Sequence, residues 1–513
     1  MSLNLLTVPQ DLGTELKESS PTRRRRTLSA SSAAFDLPVQ NTASASTSAS
    51  ASASATHPPS HDDSNEVPQI DIESADRSNV PGELHPSLES SDFLVVSGGT
   101  ACNDICSAFG RDACYVLPVS DDGGSSSEII RVLGGPSVGD IRSRLVRLIP
   151  SSPAGSPLDA VRNLLAHRLP VSSSEEEARE QWRELVEGRG SLWDGIPDDR
   201  KETIRGFLVH FESEILRRAH KRFSFRNGSV GNYLLAGAGH FFRSLPSAIF
   251  LFSSITGSQA NILPAVVTNH VCTIAAILED GNKIIGQCQI SHPVPGSRHQ
   301  RTASETRYPV WEDDQTPRIP QNVTFSKSDE TPEQSHSLES PISKLLYINP
   351  YGEEIYPSPN PGFIDALRSR KVLVYSCGSL WTSLIPCLCL RGVGTEISQS
   401  RTLQYKVLLL NSTNDRETTG YTASDYIEAI VGTLTRADLK SPRSQGKSSE
   451  DASSVQPASA FITHLVYLEG TSIPIDFSKL KSLGIRCIAA RHPAGAVRYD
   501  ADVVSRALDA MAE

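Results

Sequence analysis

Residues 92–127 read DFLVVSGGTACNDICSAFGRDACYVLPVSDDGGSSS, and the reading of this stretch decides the fold. An apolar run, Phe93-Leu94-Val95-Val96, stops at Ser97-Gly98-Gly99-Thr100, after which Ile105, Ala108 and Phe109 recur at helical spacing. A second apolar run over 115–119 stops at Asp121-Asp122-Gly123-Gly124. Strand, glycine turn, helix, strand and acidic turn make one βαβ unit. In an open parallel sheet the two turns lie side by side at the carboxyl edge, where ligands bind.

Each turn has two readings. Gly98, Gly99 and Thr100 let the backbone approach a phosphate, with helix amides behind them carrying partial positive charge. The stretch lacks GxGxxG spacing, and no GxxxxGK[ST] occurs in the chain, so an ordinary tight turn also accounts for it. Asp121 and Asp122 beside Gly123 and Gly124 suit magnesium next to a phosphate. Asp-Gly is equally good turn chemistry.

Outward from this unit, helices are expected over 128–133, 141–148, 158–169, 174–187, 203–221, 233–238, 363–370, 423–434 and 501–511. Strands are expected over 344–349, 371–375, 405–410, 461–468 and 485–489, with 264–278 and 283–289 as two more around Gly281-Asn282. Strands that end in Gly, Ser or Asp loops and lead into helices specify a doubly wound, Rossmann-like α/β domain over 91–513. Asp140 falls where a helix N-cap belongs, or where a third carboxylate would face the acidic turn. Arg142 and Arg144 follow in the first helical turn, a position the dipole disfavours for cations; a nearby anion or solvent would account for them. Ser229, Gly231 and Asn232 open another helix and suit either a cap or a phosphate. A second strand-to-helix turn over 376–383 brings Gly378, Ser379 and Thr382 as a further anion cradle.

Composition narrows the class. A formal net charge of −10, from 49 basic and 59 acidic residues, opposes nucleic-acid binding through a basic surface. The nine cysteines are scattered and odd in number, without CxxC pairs, so reduced thiols in a cytoplasmic protein are expected rather than disulfides or zinc. There is no secretory signal, and the most apolar window, 248–278, is interrupted by Gln259, Asn261, Pro264, Asn269 and His270, which excludes a membrane span. Residues 1–90 are rich in Ser and Ala and cannot bury enough apolar surface to offset chain entropy, so a disordered tail is expected. The run Arg23 to Arg26 within it reads as a localisation signal, as a docking site for a kinase or other regulatory partner, or as a solvated basic patch. Two polar stretches, 291–341 and 438–459, read as surface insertions.

Together these loops resemble the CofD/YvcK family, which comprises 2-phospho-L-lactate transferases and gluconeogenesis-factor-like proteins. The family's GGTG, DDGGSSG and GDIR motifs are matched by Gly98 to Ala101, Asp121 to Ser127 and Gly139 to Arg142. Its S-x-GN element is matched at Ser229 to Asn232, ILPAT at Ile262 to Val266, GPGSLYTSIIPNLL at Ser376 to Leu390, and ETDGYTASDH at Glu417 to Tyr426. The last two resemble the YvcK branch more than the CofD branch. Ala101 stands for the third loop glycine, Cys377 for a proline and Tyr426 for a histidine. The low-complexity tail and insertions suggest a eukaryotic, fungal member.

The resemblance implies a regulatory protein that binds a nucleotide sugar of the UDP-N-acetylglucosamine type. The CofD branch implies instead a magnesium-dependent transferase that moves a phospholactyl-type group from a nucleotide diphosphate donor. In either case Gly98, Gly99, Thr100, Gly123, Gly124, Ser229, Gly231, Asn232, Gly378, Ser379, Thr382 and Tyr421 are implied to hold the nucleotide and its phosphates. Asp121, Asp122 and Asp140 are implied as magnesium ligands, and family resemblance implies a homo-oligomer.

Overall fold

The computed structural model describes residues 88–171, 173–292, 337–439, 456–492 and 495–512. The run Arg23 to Arg26, nearly all of the 1–90 segment and most of both expected insertions lie outside the described residues.

The main sheet has seven parallel strands: β1 (Phe93–Val96), β2 (Cys114–Leu117), β3 (Asn261–Pro264), β8 (Val372–Tyr375), β9 (Tyr405–Leu409), β10 (His464–Leu468) and β11 (Arg486–Ala490). Their spatial order is β11-β10-β9-β8-β1-β2-β3. All four residues of β1, β2 and β8 are buried, which is why these strands read as unbroken apolar runs. The chain winds outward from β1 through β2 to β3, then returns to the other side of β1 and winds outward from β8 to β11. Loops after β1 and β8 therefore part in opposite directions and leave a crevice at the carboxyl edge.

The strands between β3 and β8 form a separate antiparallel sheet, in the order β5-β4-β6-β7, from β4 (Thr273–Leu278), β5 (Lys283–Ile285), β6 (Ile342–Ile348) and β7 (Glu354–Ile355). This corrects the expectation over 264–278. Asn360 takes the backbone places beyond β3, donating through N to Ala265 O and through Nδ2 to Pro264 O. The chain is thus free to restart at Thr273 in a different sheet. The expected strand over 283–289 likewise divides, into β5 and a helical turn at Gln287–Ser291.

Helices fill both faces. After the acidic turn come α1 (Gly124–Leu133) and α2 (Gly139–Arg147), and the segment from β1 to β2 is a 3-10 helix over Ala101–Phe109. Between α2 and β3 the chain builds a helical layer that includes Asp198–Leu216, Val230–Phe242 and Leu245–Thr256. The helix expected over 233–238 is thus a thirteen-residue element, and Leu245–Thr256, which overlaps the start of the most apolar window, is a helix opened by Ser244 and a proline in its first turn. An aromatic cluster welds this layer: Trp182 stacks on Phe225 at 5.0 Å and Phe211 on Tyr233 at 4.7 Å.

Candidate functional site

The β1 turn meets the β8 turn almost atom to atom. A Cβ on Gly98 would lie 2.8 Å from Ser383 Cβ, so only glycine permits the approach that closes the floor of the crevice. Gly99 adopts φ +55, and Thr100 is exposed beside it.

Two of the three expected carboxylates converge here. Asp140 is not the N-cap of α2, a place held by Val138, but sits one residue inside the helix with 7% exposure. Burial, then the charge of Asp121, pushes its carboxyl up to about 7 against the opposing Gly99 amide. Its Oδ2 is buried with no hydrogen-bond partner among the described residues. Asp121 Oδ1 accepts from Gly123 N at 3.1 Å, and its carboxyl is also raised by burial. The chain reaches this spacing because a Cβ on Gly139 would fall 2.5 Å from Asp121 Oδ2.

Asp122 is turned elsewhere. It accepts from Cys288 N at 2.7 Å and fastens the Gln287–Ser291 turn over the acidic loop; burial, partly offset by this bond, takes its carboxyl to about 6. Among the described residues no group of three or more His, Cys, Asp or Glu side chains is placed to hold a metal. The donors at hand are two carboxylates, Asp121 and Asp140. That fits magnesium, which commonly takes one or two protein carboxylates and completes its shell with water and substrate phosphates. In such a site the ion would neutralise phosphate charge and orient the diphosphate.

Ser229, Gly231 and Asn232 are all buried and act through a neighbour. Ser229 Oγ caps its helix by accepting from Asn232 N. The Asn232 side chain donates to Ser125 Oγ at 2.8 Å and accepts from Arg142 Nε at 3.1 Å. The Arg142 stem lies over Gly231, where a Cβ would meet Arg142 Cγ at 2.9 Å. The S-x-GN element therefore seats Arg142 rather than exposing free amides to a ligand. Arg142 in turn lies within electrostatic reach of Arg168, a residue without any motif signal in the sequence. Burial and then the Arg168 charge lower the Arg142 guanidinium to about 10, while Arg168 also faces Asp121.

The other helix-start arginine has a different fate. Arg144 is fully buried, donates to Cys102 Sγ at 3.0 Å, to Cys106 Sγ and to Ser97 Oγ at 3.2 Å, and covers the Tyr115 ring. Burial alone would raise the Cys102 thiol; the hydrogen bond from Cys106 and the Arg144 charge outweigh it and bring the thiol to about 5. The partners of Arg144 are thus the sulfurs of Cys102 and Cys106 and the Ser97 hydroxyl, all supplied by the protein itself.

The cradle after β8 is also filled from within. Glu417 accepts from Trp381 N at 2.9 Å, from Thr382 N at 3.1 Å and from Thr382 Oγ1. Thr382 is therefore not available to a phosphate as expected, because the Glu417 carboxyl group already satisfies its amide and hydroxyl. Gly378 exchanges two hydrogen bonds with the Asn411 amide, and the Tyr421 hydroxyl accepts from Trp381 Nε1 at 3.3 Å. Ser379 precedes the π turn Leu380–Leu384 and makes no side-chain cap.

Comparison with known proteins agrees with this architecture. The family described as 2-phospho-L-lactate transferase CofD matches residues 93–491. The chain belongs to the CofD family. It is 35% identical to the uncharacterized protein YNL011C of Saccharomyces cerevisiae, over 77% of this chain and 94% of that one, which supports a fungal member. It is 22% identical to a gluconeogenesis factor of Halalkalibacterium halodurans, over 82% of this chain and 96% of that one. The crystal structure of a UPF0052 family member from Bacillus halodurans superposes with a TM-score of 0.50 at 20% identity, covering 81% of this chain and 98% of that one. That likeness gives the CofD-family member the same fold. Among its described residues no helix is long and apolar enough to cross a membrane.

Proposed function

We propose that the crevice between β1 and β8 binds a nucleotide sugar, and that the protein is a regulatory sensor of the gluconeogenesis-factor type. One observation carries the reading: Arg142, seated by Asn232 at 3.1 Å beside Ser125 of the acidic turn, lies close enough to Arg168 for the charge of Arg168 to lower its guanidinium. Like charges held together in a half-buried site are relieved by an anion between them, and a diphosphate has the charge and span to do so. Gly98, Gly99 and Thr100 supply the backbone approach, and Gly123 and Gly124 the neighbouring turn. Similarity to a gluconeogenesis factor supports the regulatory side of this reading.

A second reading rests on the Asp121 and Asp140 pair. With magnesium on these carboxylates, the same crevice would position a nucleotide diphosphate donor for transfer, as the family description suggests. Such transfer depends on positioning and charge neutralisation more than on a protein nucleophile. Calorimetry with UDP-N-acetylglucosamine, UDP and GDP, with and without magnesium, separates the two. Magnesium-independent binding of the UDP-sugar, weakened at least about tenfold in Arg168→Met as expected for one desolvated charge contact, supports the sensor. Binding of GDP only with magnesium supports the transferase. If none of the three ligands binds, the nucleotide assignment fails.

A further inference from the structure

A cavity of about 670 Å³ lies away from the crevice, between the C-terminal end of α1, the last turns of Asp198–Leu216 and the C-terminal half of Val230–Phe242. The helix Val230–Phe242 spans about 20 Å at 1.5 Å per residue. Its first turn seats Arg142, while Leu235, Ala236, Gly239, His240 and Phe241 from its middle and last turns line this second space. The volume is within the usual range for small-molecule pockets.

The lining is of mixed but purposeful chemistry. Three arginines, Arg217, Arg218 and Arg243, and three histidines, His210, His240 and His270, stand against a single carboxylate, Glu214. Glu214 is engaged by Arg217 at 2.5 Å and Arg218 at 3.7 Å. Arg243 makes no ion pair among the described residues. In a chain of net charge −10 this is a local reversal of sign. Apolar surface completes the wall, with Leu235, Leu245 and Ile129 on one hand and Phe241 on the other. The Phe241 ring is 60% exposed, held by edge contacts with Phe207 and His210 at 5.5 Å.

Two residues of the lining are poor choices for stability alone. Arg243 ends its helix at φ 52, a left-handed position where glycine is ordinarily preferred. Gly239 sits inside the same helix, yet a Cβ there would meet no protein atom within 4 Å. Alanine would fit and would favour the helix, so packing does not require the glycine. Both choices make sense if the space is kept open and a guanidinium is presented to it.

We propose that this cavity is a second ligand site, taking a small organic anion with an aromatic or hydrocarbon body. The anionic head is met by Arg218, Arg243 and His240, and the body lies against Phe241 and Leu235. The test is a fluorescence titration of the full chain with 8-anilinonaphthalene-1-sulfonate, which joins a sulfonate to an aromatic body, and with the uncharged N-phenyl-1-naphthylamine. One saturable site is expected, with the sulfonate bound at least about tenfold more tightly, as for a desolvated charge contact. Arg243→Gly is expected to raise the melting temperature, because glycine accepts the left-handed turn, while weakening sulfonate binding about tenfold. Gly239→Leu, which fills the cavity, is expected to abolish it. Equal binding of the charged and uncharged probes, full affinity in Arg243→Gly, or no saturable site would each overturn the proposal.

Discussion

Asp140 shows how a residue can be stable in one sense and costly in another. Its carboxyl is 7% exposed, one oxygen has no donor among the described residues, and burial with the Asp121 charge holds it at about 7. The unfolded chain would titrate this group near the ordinary aspartate value, about 3.9. A folded value above the unfolded one means that the native state binds the proton more tightly. The contribution to stability is therefore complete below about pH 4 and is lost as pH rises through about 7. Asp122, at about 6, acts in the same direction. Stability of the unliganded protein is expected to fall between about pH 4 and pH 7, with Asp140→Asn flattening that fall by an amount on the order of 1–3 kcal/mol. Urea melts across this range test it; a slope unchanged in the variant would mean that Asp140 ionises as freely as a surface carboxylate. If the Asp121 and Asp140 pair binds magnesium, the ion should restore stability to the wild type above pH 7 and not to the variant.

At the scale of elements, the loop after β9 grips the turn after β8. Glu417 takes two backbone amides and the Thr382 hydroxyl, and burial followed by the Asp415 charge raises its carboxyl to about 8. Near neutral pH the group is then largely protonated, and its carbonyl oxygen can serve the same amides. Glu417→Gln should accordingly cost less than about 1 kcal/mol, whereas Glu417→Ala leaves buried donors unpaired and should cost about 2–3 kcal/mol. Equal losses in denaturant melts of the two variants would show that charge, not hydrogen bonding, holds the turns together. This contact also marks where reading the sequence stopped. The strand–turn–helix alternation around β1, β2 and β8 was legible because buried parallel strands carry continuous apolar runs and their turns carry glycine. The antiparallel sheet was not, since Thr273–Leu278 follows β3 in one apolar window and only pairing with β6 reveals that it belongs elsewhere. Glycine loops and the Asp121 and Asp140 carboxylates were legible as candidates. The place of Arg168, beyond the observed end at Ala166 of the helix expected over 158–169, and the bonds by which Glu417 of the ETDGYTASDH-like motif fills the cradle after β8, depend on contacts between segments far apart in the chain.

For the whole molecule, everything radiates from β1. It pairs with β2 on one side and β8 on the other, so the two wings of the sheet join through four residues. The entry to that strand is clamped: Glu89 N donates to the Asp92 carboxylate at 3.0 Å, Lys371 Nζ reaches the same group at 3.2 Å, and Lys371 N donates to Asp92 O at 3.1 Å. Among the described residues, the contacts that define the sheet and the crevice begin at Leu88. A chain beginning at Leu88 is expected to keep its melting temperature within about 2 °C, given that 1 kcal/mol moves a domain of 150–250 residues by about 2–4 °C. Its affinity for the nucleotide sugar should also be unchanged. A chain beginning at Ser97 lacks the strand that both wings need, and no other segment can take its place between β2 and β8. That chain should fail to give a cooperative melt or near-ultraviolet circular dichroism. Comparing the two by calorimetry and circular dichroism makes the hub role of β1 testable: a cooperative transition in the shorter chain would show that each wing carries its own core, and a large loss in the longer one would give residues 1–87 a part in holding the fold.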